Sequence, residues 1–297
     1  MTTDVIYLGD CISGMAKQVE DASVDLVIAD PPHYRAGKQG EARFPSEEAY
    51  FAFSEGWLRE TSRVLRGGGS LYLFTSLENF CKLFPILTEN GLELRQQILV
   101  AGEKKNASVG SKKARAFPAA TESIFLLTKD PRPFISAFLR EKQAAKGYSA
   151  KEMNELLGVH TGGGGMWSHY TGNLLQGQVP TEKVWKKLQE ILEFDLPYTR
   201  ISQTFHPCEG LSSLWNDVAI REEKDRLHPA QKTQKLLTRL LCISSEEGDV
   251  VLDPFMGSGS TAEACTYQNR RYLGFEQNEK YYNMAIERVA NRQLTLF

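Results

Sequence analysis

Short apolar runs alternate along this chain with longer stretches in which apolar residues recur every three or four positions. The short runs, at 5–8, 24–29, 70–75, 92–100, 123–128, 250–253 and 272–276, read as strands. The periodic stretches read as helices near 12–19, 46–65, 78–90 and 279–291, with another carrying Leu236, Leu237, Leu240 and Leu241. Ser46 is placed to cap the second helix, whose Tyr50, Phe53, Trp57, Leu58, Thr61 and Leu65 share one side, and Gly67-Gly68-Gly69 is placed to end it. Strands alternating with helices predict a doubly wound α/β sheet, with 92–100 and 123–128 as a hairpin-like pair at its edge.

A segment of different character interrupts this alternation. Ser149-Ala150-Lys151-Glu152 is a capping-box pattern opening a short helix through Leu157, which Gly158 ends. Gly162 to Gly165 forms a flexible link, and Pro180-Thr181 then opens an amphipathic helix with the stripe Val184, Trp185, Leu188, Ile191, Leu192. The two helices fit a helix-turn-helix or a plain packing insert equally well.

Chemistry enters at the ends of the strands. Asp30-Pro31-Pro32-His33-Tyr34 follows the run 24–29, at a strand's carboxyl end, where open α/β sheets place ligands. Two prolines fix φ and remove two donors, so the Asp30 carboxylate and the nearby carbonyls become rigid acceptors, and the ring that follows could stack on a flat ligand. By itself the pattern is equally a proline-braced turn. A second stretch, Asp253-Pro254-Phe255-Met256-Gly257-Ser258-Gly259-Ser260-Thr261, runs from strand through a glycine turn into a helix starting at Ser260 or Thr261. Glu276 ends the next strand, the usual place for a carboxylate that binds ribose hydroxyls, although the turn lacks the G-x-G-x-x-G spacing. Asp10 ends the first strand and either serves the same site or caps the helix that follows.

Asp-Pro-Pro-aromatic early and Asp-Pro-Phe-x-Gly-Ser-Gly late resemble the β class of amino DNA methyltransferases, in which the catalytic motif precedes the cofactor motif. The resemblance covers residues 1–130 and 213–292. It implies a Rossmann-like methyltransferase sheet, circularly permuted, so that the two chain ends must meet, with a catalytic half at 1–135, a helical target-recognition insert at 136–212 and a cofactor-binding half at 213–297. It implies transfer of a methyl group from S-adenosyl-L-methionine to the exocyclic N6 of adenine in double-stranded DNA by base flipping. N4 of cytosine, or a catalytically weak DNA-binding relative, stands as the alternative. Catalysis falls to Asp30, Pro31, Pro32, His33 and Tyr34, and the cofactor to Asp10, His228, Lys232, Asp253, Phe255, Gly257, Ser258, Gly259, Thr261 and Glu276. Histidine stands at position 33 where the family carries an aromatic, and Thr233 replaces the last proline of the family's His-Pro-x-x-Lys-Pro pattern. A lone His228 is otherwise a structural histidine. A homodimeric copy and a cognate restriction endonuclease are partners compatible with the resemblance.

Composition narrows this little. At 297 residues, 41% hydrophobic and 24% charged, the chain is long enough for one large α/β domain with an insertion. With neither a long apolar run nor a basic-then-apolar leader, the expected location is cytoplasmic. Five scattered cysteines without a C-x-x-C pair predict reduced thiols and no metal site. A net charge of −2 does not advertise nucleic acid, but Lys104, Lys105, Lys112, Lys113 and Arg115 cluster, followed by Arg132, Arg140, Lys142 and Lys146. These form either a solvated face or a DNA-facing surface.

Overall fold

The computed structural model describes residues 1–32, 44–101, 120–158, 165–172, 177–207, 210–220 and 231–293. Strands β1 (Val5–Leu8), β2 (Val24–Ala29), β3 (Leu65–Phe74), β4 (Leu92–Ala101), β5 (Thr121–Lys129), β6 (Leu214–Trp215), β7 (Val250–Asp253) and β8 (Arg271–Glu276) form one sheet. Their order is β1-β8-β7-β2-β3-β5-β4-β6, parallel except where β5 pairs with β3 and β4. The chain ends meet, as the permuted order requires: Val5 lies opposite Leu273 and Leu8 opposite Glu276.

Helices cover both faces. On one lie α1 (Cys11–Gln18), α2 (Glu47–Val64) and α3 (Leu77–Glu89), burying Met15, Trp57, Leu58, Leu83 and Leu87 against Val27, Leu71 and Leu252. Ser46 caps α2 by accepting from Ala49 N at 3.2 Å, as its sequence position predicts. On the other face lie α8 (Gln234–Ser244), α9 (Ser260–Tyr267) and α10 (Glu279–Gln293), burying Leu236, Leu240, Ala264 and Ala285 against Leu26, Tyr72 and Val251. Helices α4 (Arg132–Lys146), α5 (Ala150–Leu157), α6 (Gly165–Thr171) and α7 (Glu182–Leu192) gather about a third core of Ile135, Leu139, Trp167, Trp185 and Leu188. The capping box is present, Ser149 and Glu152 each bonding the other's backbone N–H. The stripes of α5 and α7 go into this shared core. Among the described residues no helix is long and apolar enough to cross a membrane.

The structure departs from the sequence reading at two places and adds detail at a third. Gly67-Gly68-Gly69 does not separate α2 from the next strand but lies within β3, where the pairing slips: Val24 faces Leu65, yet Leu26 faces Ser70. Gly68 sits at φ 77°, and a Cβ there would come within 2.6 Å of the Ser202 backbone, so returning chain from the helical insert lies directly on this bulge. The β4/β5 pair does not close the sheet, because Leu214–Trp215 adds β6 beyond β4. The basic residues of α4 are paired or bonded within the protein. Arg132 bonds Asp130 and Glu93, Arg140 bonds the Thr171 carbonyl, Lys142 pairs with Glu141, and Lys146 pairs with Glu193.

One polar cluster in this frame is centred on a buried carboxylate. Asp25, near the start of β2, accepts from Arg66 Nε at 2.8 Å, Arg200 Nη1 at 2.7 Å and the Val250 backbone N–H at 3.0 Å. Arg66 also donates to the Gly67 and Ser202 carbonyls and to Thr204 Oγ1. Removing one partner of a buried ion pair strands the other charge in a low dielectric. Asp25→Ala is therefore expected to cost about 3–5 kcal/mol in urea unfolding, and Arg200→Ala less, because Arg200 reaches solvent. A loss below about 1 kcal/mol for Asp25→Ala would place the pair among those that contribute nothing measurable.

Candidate functional site

The predicted carboxylates end up in one row. Asp10 follows β1, Glu276 ends β8, Asp253 ends β7 and Asp30 follows β2, at the carboxyl ends of four adjacent parallel strands. The chain passes from β7 to β8 on one side, while β2 and β3 extend on the other, so the sheet's switch point lies between Asp253 and Asp30. That crevice is where doubly wound sheets hold ligands.

Asp10 does cap α1, its Oδ1 accepting from Ser13 N at 2.9 Å, while its side chain stays exposed beside Glu276. Gly9 N donates to the Glu276 carbonyl at 2.9 Å and holds these two strand ends together. Glu276 is aimed from both sides: Oε2 accepts from Gly257 N at 2.9 Å and Oε1 from Asn278 N at 2.7 Å. Its carboxylate thereby lies against the glycine turn rather than in bulk solvent.

The turn itself is shaped by Asp253, whose Oδ1 accepts from Phe255 N at 2.9 Å and whose Oδ2 accepts from Thr261 Oγ1 at 2.6 Å. Asp253 and Thr261 are therefore braces of the turn. Gly257 adopts φ 56° and Gly259 φ 83°, both in the left-handed region. Gly259 serves packing, since a Cβ there would stand 2.8 Å from Ala285 Cα on α10. Phe255 is half-buried and packs edge-on against Trp57, with ring centroids 5.3 Å apart. Ser258 is buried, and its hydroxyl has no hydrogen-bond partner among the described residues.

Across the crevice, Asp30 Oδ2 accepts from Lys232 Nζ, a pairing that links residues 202 positions apart. The ammonium also lies over the Phe74 ring, 4.6 Å from its centroid, at the end of β3. Lys232, predicted as a cofactor contact, is thus placed against Asp30. Pro31 is buried and Pro32 half-buried beside it. His33, Tyr34, His228, Lys104, Lys105, Lys112, Lys113 and Arg115 lie outside the described residues.

Sequence reasoning missed Phe74 and the Asp30–Lys232 pair. Neither carries a local signal, because a buried aromatic in a strand and a lysine before a helix are common. The row nevertheless has the donors and acceptors that a nucleoside-bearing ligand needs: two carboxylates for hydroxyl and amino groups, a backbone turn with left-handed glycines, and an orphaned buried hydroxyl at Ser258. Among the described residues no group of His, Cys, Asp and Glu could hold a metal ion.

Burial pushes the Asp253 carboxyl up to about 7, opposed by the bonds from Thr261 and Phe255, raised further by Asp30 and drawn down by Lys232. Between the ordinary carboxylate range and this value the folded protein holds a proton that the unfolded chain has released. The associated stability is therefore present in acid and lost as pH rises through about 7. Asp253→Asn should remove this slope, so that from pH 5 to 7 the wild type loses stability relative to the variant by about 1.4 kcal/mol per pH unit at most. Parallel stability–pH curves from urea unfolding would show that the carboxyl is ionised throughout.

Comparison with known proteins places this site in a family. Residues 24–287 match the DNA methylase family of N6 and N4 enzymes. The Type II methyltransferase M.HpaI of Haemophilus parainfluenzae is 27% identical over 276 residues, covering 92% of this chain and 70% of the relative. The DNA adenine methyltransferase YhdJ of Escherichia coli is 26% identical over 288 residues, covering 96% and 82%. The crystal structure of the M1.HpyAVI–SAM complex superposes with a TM-score of 0.57 at 17% identity, over 96% of this chain and 98% of that one, which shows a shared fold. With the match extending across both strand-end motifs and the insert between them, the chain belongs to the N6/N4 DNA methylase family.

Proposed function

We propose that this DNA methylase transfers a methyl group from S-adenosyl-L-methionine to the exocyclic N6 of adenine in double-stranded DNA, with the target base turned out of the duplex. The observation that carries this reading is the placement of Asp30, braced by Pro31 and Pro32, across the switch-point crevice from the glycine turn and Glu276. When bound, the cofactor supplies an electrophilic methyl on a sulfonium. Glu276 would accept from its ribose hydroxyls and Asp10 from its adenine amino group. Gly257 and Ser258 would let the turn approach it closely, and Phe255 would offer an apolar wall. Asp253, Gly259 and Thr261 act one step behind, by holding the turn in shape.

An exocyclic amine is a poor nucleophile because its lone pair is delocalised into the ring. Hydrogen bonds from its two N–H groups to the Asp30 carboxylate and the Pro31 carbonyl would localise that lone pair toward the methyl. Rigid acceptors cost little reorganisation as the reaction proceeds, so positioning and fixed dipoles supply most of the acceleration. His33 or Tyr34 would stack on the flipped base, and Lys104, Lys105, Lys112, Lys113 and Arg115 would meet the phosphates.

Adenine is favoured by the Asp before the two prolines and by the adenine activity named for the E. coli relative. N4 of cytosine stands as the second reading, because the family spans both acceptors. Duplex DNA methylated by the purified protein, digested to nucleosides and resolved by mass spectrometry, should yield N6-methyladenine. N4-methylcytosine alone would transfer the chain to the cytosine branch.

Two variants separate cofactor binding from chemistry. Asp30→Ala should leave S-adenosyl-L-methionine affinity within about twofold while lowering turnover by about 10²- to 10³-fold, the pattern of an interaction made mainly in the transition state. Glu276→Ala should do the reverse, weakening the calorimetric Kd by at least about tenfold, as loss of a charged hydrogen-bond partner does. Wild-type methylation by Asp30→Ala would move the catalytic centre elsewhere.

A further inference from the structure

We infer that Lys232 is a positioning residue for Asp30 and not a contact of the cofactor, its ammonium holding the Asp30 carboxylate as an oriented anion. The inference rests on the reading of Asp30 as acceptor for the target amino group. Three observations carry it. The Lys232 side chain is 8% exposed and that of Asp30 21%, so the pair lies in a water-poor crevice where the charge has a large effect. Nζ bonds Asp30 Oδ2 and lies over the face of Phe74, at the ends of β2 and β3, and among the described residues it makes no hydrogen bond to the glycine turn or Glu276. The residues on either side of Lys232 are fastened by separate elements. Thr233 N donates to the Ile220 carbonyl at 3.2 Å, and its hydroxyl donates to the Ala219 carbonyl at 2.6 Å. Gln231 Oε1 accepts from Arg288 of α10 at 3.0 Å, and Arg288 is itself bonded to Ser260 and Glu263 of α9.

The electrostatic reason follows from what surrounds Asp30. Lys232, from the segment before α8, pairs with Asp30, and Asp253, at the end of β7, feels its charge. Burial and a neighbouring carboxylate both disfavour an anion in such a crevice, and a paired ammonium favours it. Lys232 supplies that ammonium to Asp30. Asp253, bonded to Thr261 and the turn backbone, is pushed up chiefly by its own burial. An ionised Asp30 accepts hydrogen bonds from both lone-pair sides, whereas a protonated one would present a donor to the amine. The Phe74 ring offsets part of the cost of burying the ammonium.

The test uses the full-length protein, S-adenosyl-L-methionine and a duplex oligonucleotide carrying the target site. For Lys232→Gln the expected results are a calorimetric cofactor Kd within about twofold of wild type and a kcat lower by about 10²-fold. The acidic limb of the kcat–pH profile should move up by about one pH unit. The Asp30 carboxyl resonance, followed by ¹³C NMR without cofactor or DNA and assigned by its loss in Asp30→Asn, should titrate at correspondingly higher pH. Lys232→Arg keeps the charge and should recover most of the turnover, which covers the case in which the glutamine variant does not fold. A large loss of cofactor affinity in Lys232→Gln with an unmoved acidic limb would overturn the inference in favour of a cofactor contact. So would an Asp30 resonance that titrates as in wild type, or a Lys232→Arg variant as slow as Lys232→Gln. Asp30→Asn run in parallel separates the two levels. If it methylates at the wild-type rate, the acceptor role of Asp30 itself is wrong. If it is inactive while the Asp30 resonance is indifferent to Lys232, only the role given to the lysine fails.

Discussion

A carboxylate buried near the start of β2 is the constraint on which the rest of the molecule depends. Asp25 takes hydrogen bonds from β3 through Arg66, from β7 through the Val250 backbone and from the returning insert through Arg200. β2 and β7 flank the switch point and come from opposite ends of the chain, so this one side chain fixes the alignment of the two halves. It also fixes the insert. Arg66 and Arg200 reach the same oxygen, and Arg66 extends to the Ser202 carbonyl and Thr204, so chain returning from the helices is tied beneath the sheet. Satisfying all of these donors offsets the cost of burying charge, and the arrangement gives strand register and insert placement together.

The two ends of the parallel strands carry opposite kinds of polar chemistry. Near the start of β2 the charges are paired within the protein. At the carboxyl ends, Asp10 and Glu276 accept from backbone N–H groups and remain partly open. This asymmetry is what a doubly wound sheet offers: chain leaves each strand's carboxyl end into turns and helix starts, which present N–H donors and room for a ligand. The permutation changes none of it. Pairing of β1 with β8 restores a continuous row from residues near the two ends of the chain, and α10 packs beside β1 to cover the seam.

What was legible in the sequence was what short-range chemistry determines. The glycine turn after Asp253, the helix cap at Ser46 and the capping box at Ser149 each follow from neighbours within a few residues, and each is found in place. The alternation of strands and helices gave the layered sheet for the same reason. What was not legible depended on distant partners. Asp25 lies inside a run that otherwise reads as apolar strand, and its arginines are 41 and 175 residues away. The triglycine looked like a helix stop because nothing local reveals that Ser202 will lie against it. That Gly259 also packs against the backbone of α10 has no local signal. The basic residues of α4 were grouped with those before them by proximity in sequence, whereas in the fold they pair with acids of several elements or bond a backbone carbonyl.

The crevice between β7 and β2 joins these observations to the proposed chemistry. A methyl acceptor that is a neutral amine needs a strong hydrogen-bond acceptor beside it, but an isolated carboxylate in a water-poor cleft would tend to protonate and stop accepting. Here the cleft holds two carboxyls with different fates. Asp253 is wholly enclosed and engaged by Thr261 and the Phe255 N–H, so its work of shaping the turn can be done with a proton on board. Asp30 is more exposed and lies against an ammonium. One site thus holds an enclosed acid raised by burial and a second acid paired with an ammonium. In this fold the division follows from strand order: the glycine turn encloses the acid on β7, and the chain that leads into α8 brings a lysine to the acid on β2.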